Sequence, residues 1–275
     1  MRLRSQFATL DGSHPDPDPV PNTHIVSMDW SRIELDVMVP IGESSELEFQ
    51  LPYDVKDIEA KYELPDGTEF DNPVGDLHHR TERLEGPADF KVYCNFTVGE
   101  WRLSGGLNLP VGETVENPYI LGDLGLNHQH VQFGTGTFDP LARLSRLVHV
   151  VEGVAANFSA GAQIPLMENR HGYQAPPVYD FAAGPRFAFN GFLNASLSYS
   201  VLYQGRGYWD GDPDPNTGYV IQAIHLSLPI RIEPGIYLVP NVYRALHVKT
   251  RDEGDTFELE WIVGLSMEIP LGSGE

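Results

Sequence analysis

The chain has 275 residues, 41% of them hydrophobic and 21% charged, which is enough to bury a core and too apolar for a disordered chain. Eighteen Lys and Arg against 39 Asp and Glu leave a formal charge of -21, which repels nucleic-acid phosphates at long range and excludes nucleic acid as a partner. A mean hydropathy of -0.25 and the lack of any run of about 18 apolar residues exclude a membrane-spanning helix. A closed β-barrel stays open, because its strands alternate and their hydropathy averages out.

The single cysteine, Cys94, can form neither an internal disulfide nor a CxxC zinc site, and is expected to pack as a small hydrophobe. Residues 1–6 carry basic side chains without an apolar run of about 7 to 15 behind them, so the chain as given shows no secretory signal. Its end, Gly274-Glu275, lacks a terminal aromatic residue.

In chain order, the sequence predicts strands over residues 2–10, 32–39, 46–53, 89–98, 100–109, 137–148, 157–164, 179–189, 193–204, 218–232, 236–248 and 257–269. The period of two is clearest in the last, where Phe257, Leu259, Trp261, Val263, Leu265, Met267 and Ile269 alternate with residues such as Glu258, Glu260, Gly264 and Ser266. Residues 179–189 and 193–204 meet at Asn190-Gly191, the preferred two-residue hairpin turn, so these two strands are expected to be adjacent and antiparallel. Convincing helical spacing appears nowhere. Prolines at Pro185, Pro229 and Pro240 each remove a ladder hydrogen bond, which predicts bulges.

The connections alternate in length. Short ones fall at 41–45, 98–100, 151–153, 190–191 and 233–235; long ones at 11–22, 54–88, 110–136, 165–177, 207–217 and 249–255. Tight periplasmic turns at one rim and long extracellular loops at the other characterise outer-membrane barrels. The expected fold is therefore all-β: one antiparallel transmembrane β-barrel domain of about twelve strands over residues 1–275, in the outer membrane of a Gram-negative bacterium, with lipid and lipopolysaccharide around it. A soluble, lipocalin-like barrel would share the periodicity with its apolar face turned inward. Four Lys against fourteen Arg, and strand gaps filled by Ser, Asn, Gly, Ala and Arg, suit a hydrogen-bonded lumen better than a soluble surface.

The apolar faces assign Leu193, Leu197, Val201, Leu259, Val263 and Leu265 to lipid, and their polar counterparts Arg102, Asn108, Gln163, Asp180, Arg186, Gln204, Glu258 and Glu260 to the lumen. At about 27 residues the loop 110–136 is too long for a mere connection. Its apolar Val115, Tyr119, Ile120, Leu121, Leu124 and Leu126 need burial, so it is expected to fold into the mouth as a constriction formed by Tyr119, Leu121, Leu124, Leu126, Phe133 and Phe138. His128 and His130 at i and i+2, with His78 and His79 in the neighbouring loop, are the only weak metal candidates, and ordinary loop histidines are the favoured reading. The acidic clusters 16–18, 210–214 and 252–255 read as solvated loops rather than Ca²⁺ sites. With no nucleophile elbow and no triad spacing, the chain is read as a non-enzyme without a cofactor.

Three stretches, ELEFQLPY at 46–53, LSGGLNLPVGE at 103–113 and FGTGTFDP at 133–140, resemble outer-membrane proteins of the phenol meta-pathway degradation (MetA-pathway) family. The resemblance covers residues 30–150 by motif and, after that, by strand pattern alone. It implies a barrel that moves small hydrophobic, often aromatic, compounds across the outer membrane. The alternative is a non-transporting barrel with a structural or binding role through its acidic loops.

Overall fold

A computed structural model describes residues 1–16, 20–70, 80–251 and 256–270. The chain forms a closed antiparallel barrel of 12 strands with almost no helix. The strands are β1 (Arg2–Asp16), β2 (Asn22–Gly42), β3 (Ser45–Glu63), β4 (Glu82–Pro87 and Phe90–Val98), β5 (Trp101–Leu109), β6 (Asp139–Val151), β7 (Val154–Gln163), β8 (Val178–Ala188), β9 (Asn194–Gln204), β10 (Tyr219–Ser227 and Ile230–Glu233), β11 (Ile236–Thr250) and β12 (Thr256–Glu268). Each pairs with its sequence neighbours, and β12 returns to β1 from Arg2 opposite Glu268 to Ser13 opposite Thr256. Every backbone edge is thereby satisfied, as a bilayer demands.

Several strands run further than their period-two pattern predicts, and β3 shows why. Leu47, Phe49, Leu51, Tyr53 and Val55 point outward, followed on the same face by Asp57, Glu59, Lys61 and Glu63. The inward face changes the other way, from Glu48, Gln50, Asp54 and Lys56 to Ile58 and the buried Tyr62. The two faces exchange polarity where the strand rises out of lipid into water, so a reading that holds one face apolar stops near residue 53 although pairing with β2 continues to Glu63. The stretch 54–63, like 11–16 and 22–31, is wall rather than loop.

Two outward trios mark the edges of the lipid band. The Arg146 guanidinium lies 4.9 Å from the Trp101 ring centroid and pairs with Glu100 at 2.7 Å beside a short turn. Towards the long loops, Arg244 lies 4.6 Å from the Trp261 centroid and pairs with Glu260 at 2.9 Å. Tryptophan with its polar edge in the headgroups and its ring in the acyl region is the usual interfacial anchor.

Bulges correct the facing of three residues. Between Ile262 and Leu259, β12 spends one residue more than β1 does between Ala8 and Leu10, and such a slip turns every later side chain to the opposite face. Leu259 therefore points inward, packed with Ala8, Ile221 and Ala245, rather than to lipid. Glu258 and Glu260 point outward instead of lining the lumen, and both are exposed. The other residues assigned to lipid, Leu193, Leu197, Val201, Val263 and Leu265, lie on outward faces.

Pro185 and Pro240 keep register with Ala156 and Leu265, without the bulges expected there, whereas two other prolines fall where the ladder breaks. Pro229 separates the halves of β10, and Pro52 stands opposite the gap between the halves of β4, where the Ala88 amide donates to the Pro52 carbonyl at 3.1 Å. Asn190-Gly191 does not form a two-residue turn. The Asn190 side-chain oxygen accepts from the Phe192 and Leu193 amides at 3.0 and 2.8 Å, which widens the β8–β9 connection.

Candidate functional site: the lumen and its mouth

Polar inward faces of β1 to β6 fill one side of the lumen with paired charges. Arg2 and Arg4 reach Asp36 at 2.6 and 3.2 Å, and Arg32 grips Asp54 through two hydrogen bonds of 2.7 and 2.8 Å. Arg102 pairs with Glu46 and Glu48, while Arg143 pairs with Glu48 at 3.3 Å, donates to Gln50 at 3.2 Å and lies 3.8 Å from the Tyr93 ring centroid. Charges taken out of bulk water persist only when compensated in this way. The opposite wall, on β7 to β10, is lined mainly by small residues such as Ser159, Gly161, Ala182, Ser198 and Ala223.

The sequence-assigned lumen residues divide between these walls. Arg102 belongs to the ion-pair ladder, and Gln163 accepts from Lys91 at 3.1 Å and donates to Asp139 at 3.0 Å. Gln204 donates to the Tyr219 hydroxyl at 3.2 Å. Asp180 and Arg186 share the inward face of β8 and stay water-accessible.

Asn108 sits in a buried node that fixes the long loop to the barrel. Its amide donates to Asp89 at 2.6 Å and to Asp139 at 3.2 Å. Asp89 also accepts from the backbone amides of Gly112 (3.0 Å) and Thr135 (2.8 Å), one from each end of the loop. Thr137 donates to Asp139 at 2.6 Å. The glycines of FGTGTFDP serve this packing, since a Cβ on Gly134 would stand 2.1 Å from an Asp89 oxygen. The break in β4 opposite Pro52 is what frees Asp89 to turn inward. Asn108→Ala should leave two buried carboxylates short of a donor, at a cost of about 1–3 kcal/mol. The expected result is a loop newly open to protease within residues 110–136 while the barrel keeps its folded, heat-modifiable gel mobility; an unchanged cleavage pattern would deny the node its anchoring role.

Beyond the node the loop folds inward in part. Asn117 caps the short helix α1 (Pro118–Asp123), its side-chain oxygen accepting from the Tyr119 amide at 3.0 Å. Tyr119 packs against Tyr173 and Trp209, and its hydroxyl donates to Asp214 at 3.0 Å. Phe133 also turns in, with the Lys56 ammonium 4.3 Å from its ring centroid. Leu121 is half-buried, whereas Leu124, Leu126 and Phe138 are exposed and do not form the constriction. Phe138 shares the outward face of Pro140 and Ala142 at the head of β6; Leu124 and Leu126 lie beyond the helix, away from the packed face.

Trp209, absent from the sequence reading, and the acidic cluster 210–214, expected there as a solvated loop, complete the plug. Trp209 and Asp212 flank Asp210-Gly211, both at positive φ (51° and 87°), in a tight hairpin that also pairs with Tyr173–Gln174. The Asp-Gly dipeptide was the available signal for it. Asp214 accepts from Tyr119 and from the Asn216 amide, and burial pushes its carboxyl above the ordinary carboxylate range.

Two cavities meet at this plug. One of about 330 Å³ lies in the mouth, with Leu10, Val26, Ile58, Val131 and Phe257 among its walls. The other, about 420 Å³, lies in the lumen between Arg32, Glu34, Gln50, Lys91 and Gln204. His130, Asn216, Thr217 and Tyr219 border both.

The His128 and His130 ring centroids are 5.3 Å apart, and His128 Nδ1 bonds the Leu126 carbonyl at 3.0 Å. Among the described residues no three His, Cys, Asp or Glu side chains gather as metal ligands. His78, His79 and residues 17–18 and 252–255 of the acidic clusters lie outside the described residues.

No protein-family model and no curated protein matches the chain in sequence. Among solved structures it resembles an outer membrane channel from Pseudomonas putida F1, with a TM-score of 0.64 at 11% identity over 98% of this chain and 94% of that one. It also resembles a FadL homologue from Pseudomonas aeruginosa, with a TM-score of 0.50 at 9% identity over 98% and 90% of the two chains. At these identities the likeness is one of fold, and the fold is that of outer-membrane β-barrels.

Proposed function

We propose that the chain is an outer-membrane channel of a Gram-negative bacterium that admits small hydrophobic molecules, aromatic ones included. The supporting observation is the apolar cavity of about 330 Å³ seated in the mouth directly against the lumen cavity. A concave, mainly apolar site with a few convergent polar groups is the usual form of a small-molecule site. The outward apolar belt takes membrane lipid and lipopolysaccharide as its surroundings, and the reading needs no catalytic residue or cofactor. The resemblance of residues 46–53, 103–113 and 133–140 to the phenol meta-pathway family agrees with an aromatic cargo.

A binding role without passage is the second reading, favoured by the deep burial of Asp36 and Glu48 within the ion-pair ladder. Vesicles with lipopolysaccharide in the outer leaflet separate the two, since that leaflet slows apolar solutes. The barrel should speed entry of toluene several-fold, and Ile58→Trp, which narrows the mouth cavity, should reduce the gain. Toluene that binds at the mouth without entering faster would establish the second reading.

A further inference from the structure

The lumen's ion pairs are unevenly wetted. Arg2 is 31% exposed against 1% for Asp36, Arg32 28% against 3% for Asp54, and Arg143 38% against 8% for Glu48. Arg102, at 39%, is likewise more open than Glu48. Pairs on the outer surface show no such bias: Lys61 is 53% exposed beside Glu59 at 59%, and Arg244 38% beside Glu260 at 70%. The carboxylates of the lumen are short side chains held close to the wall, whereas the guanidinium planes stand above them. Lumen water therefore meets arginine first.

Acids do reach lumen water at Asp180, Glu46 and Glu268, and Glu34, Asp89 and Asp214 border the lumen cavity, but Asp180 shares its strand face with the exposed Arg186, Glu46 is covered by Arg102, and Glu34 at 9% lies behind Arg4 at 25%. At the mouth the pair Arg80–Glu82 is evenly wetted, at 27% and 24%, but only the arginine lines the cavity. Arg80 and Arg251 border it together with Leu10, Val26, Ile58 and Phe257, and no Asp or Glu among the described residues does. Cationic groups along a narrow, low-dielectric passage focus potential onto whatever enters.

We propose that this path attracts anions although the whole chain carries -21, and that its solute is an amphipathic anion: an apolar body, aromatic or short aliphatic, bearing a carboxylate. The body fits the apolar mouth, and the carboxylate is handed from the mouth arginines to the guanidinium groups of the lumen, where bidentate pairing is available. The inference rests on the reading of the barrel as a passage and names the class of solute for it.

Benzoate and benzyl alcohol share size and ring but differ in charge. Titrated into the purified full-length barrel in detergent, benzoate should bind about tenfold more tightly, equivalent to about 1.4 kcal/mol. In a planar bilayer under a KCl gradient, the reversal potential should report preference for chloride. Exchange of Arg102 and Arg143 for Gln, with Glu48→Gln to avoid stranding a buried carboxylate, should bring the two affinities together and move the reversal potential towards zero. Equal binding by the unaltered barrel, or a preference for potassium, overturns the proposal. Benzyl alcohol that enters vesicles without any benzoate preference leaves the passage standing and removes the anion class. Benzoate that binds preferentially while neither solute enters does the reverse. If the barrel carries no current, the binding comparison decides alone.

Discussion

Val263→Arg should lower the fraction of the chain that reaches its folded form in a bilayer. Val263 points outward on β12, opposite Phe7 on β1 and Val242 on β11, two residues from the interfacial Trp261. At 48% exposure its side chain is left uncovered by protein on the outward face. A guanidinium there must leave water with no partner on either neighbouring strand, at a cost between the ~2–4 kcal/mol of the midplane and the ~0–1 kcal/mol of the interface. Asp180→Arg is the control, because Asp180 faces the wetted lumen and has an inward glycine, Gly161, opposite it. The heat-modifiable folded fraction in lipid vesicles and the urea midpoint should fall for Val263→Arg and hold for Asp180→Arg. Equal losses would mean that the inside and outside of the barrel have been exchanged.

That experiment also probes what the sequence does and does not encode openly. Within the lipid band, solvent polarity differs across the wall, so side chains alternate with a fixed phase, and the expected residues 193–204 and 100–109 coincide with β9 and β5 to within a residue. Above the band both sides of the wall meet water or the plug, and the phase reverses, as in β3 after Val55. Leu259, Glu258 and Glu260 were misplaced by one extra residue in β12, a backbone event that leaves hydrophobicity unchanged. The lumen assignments that follow simple alternation, such as Asn108 and Gln163, lie on inward faces. Their partners were hidden, because Asp89, Thr135 and Asp139 meet only after a strand break and a long loop bring them together. The plug was legible as a need for burial but not as a surface: Tyr119 turns in to reach Asp214, whereas Leu124 and Leu126 remain outside.

Deleting residues 117–126 should leave the barrel assembled and open its mouth. None of these ten residues takes part in the barrel ladder, so the wall keeps its backbone hydrogen bonds. The stems of the loop stay fixed, since Asp89 holds Gly112 and Thr135, and Lys56 donates to the Gln132 carbonyl at 2.6 Å. What is lost is α1 with Tyr119, and with it the bond to Asp214, the packing on Tyr173 and Trp209, and the Asn117 contact to Asp210 at 2.7 Å. Asp214, already raised by burial, would then gain water in place of a tyrosine hydroxyl, and the partition between the mouth and lumen cavities would lose one wall. Liposome swelling with small polar sugars should rise several-fold, or the ranking of small aromatic solutes should change, while gel mobility still reports a folded barrel. If an intact barrel shows the same permeability and the same ranking, the loop does not gate, and the weight moves to a barrel that binds at its mouth without passing its ligand on.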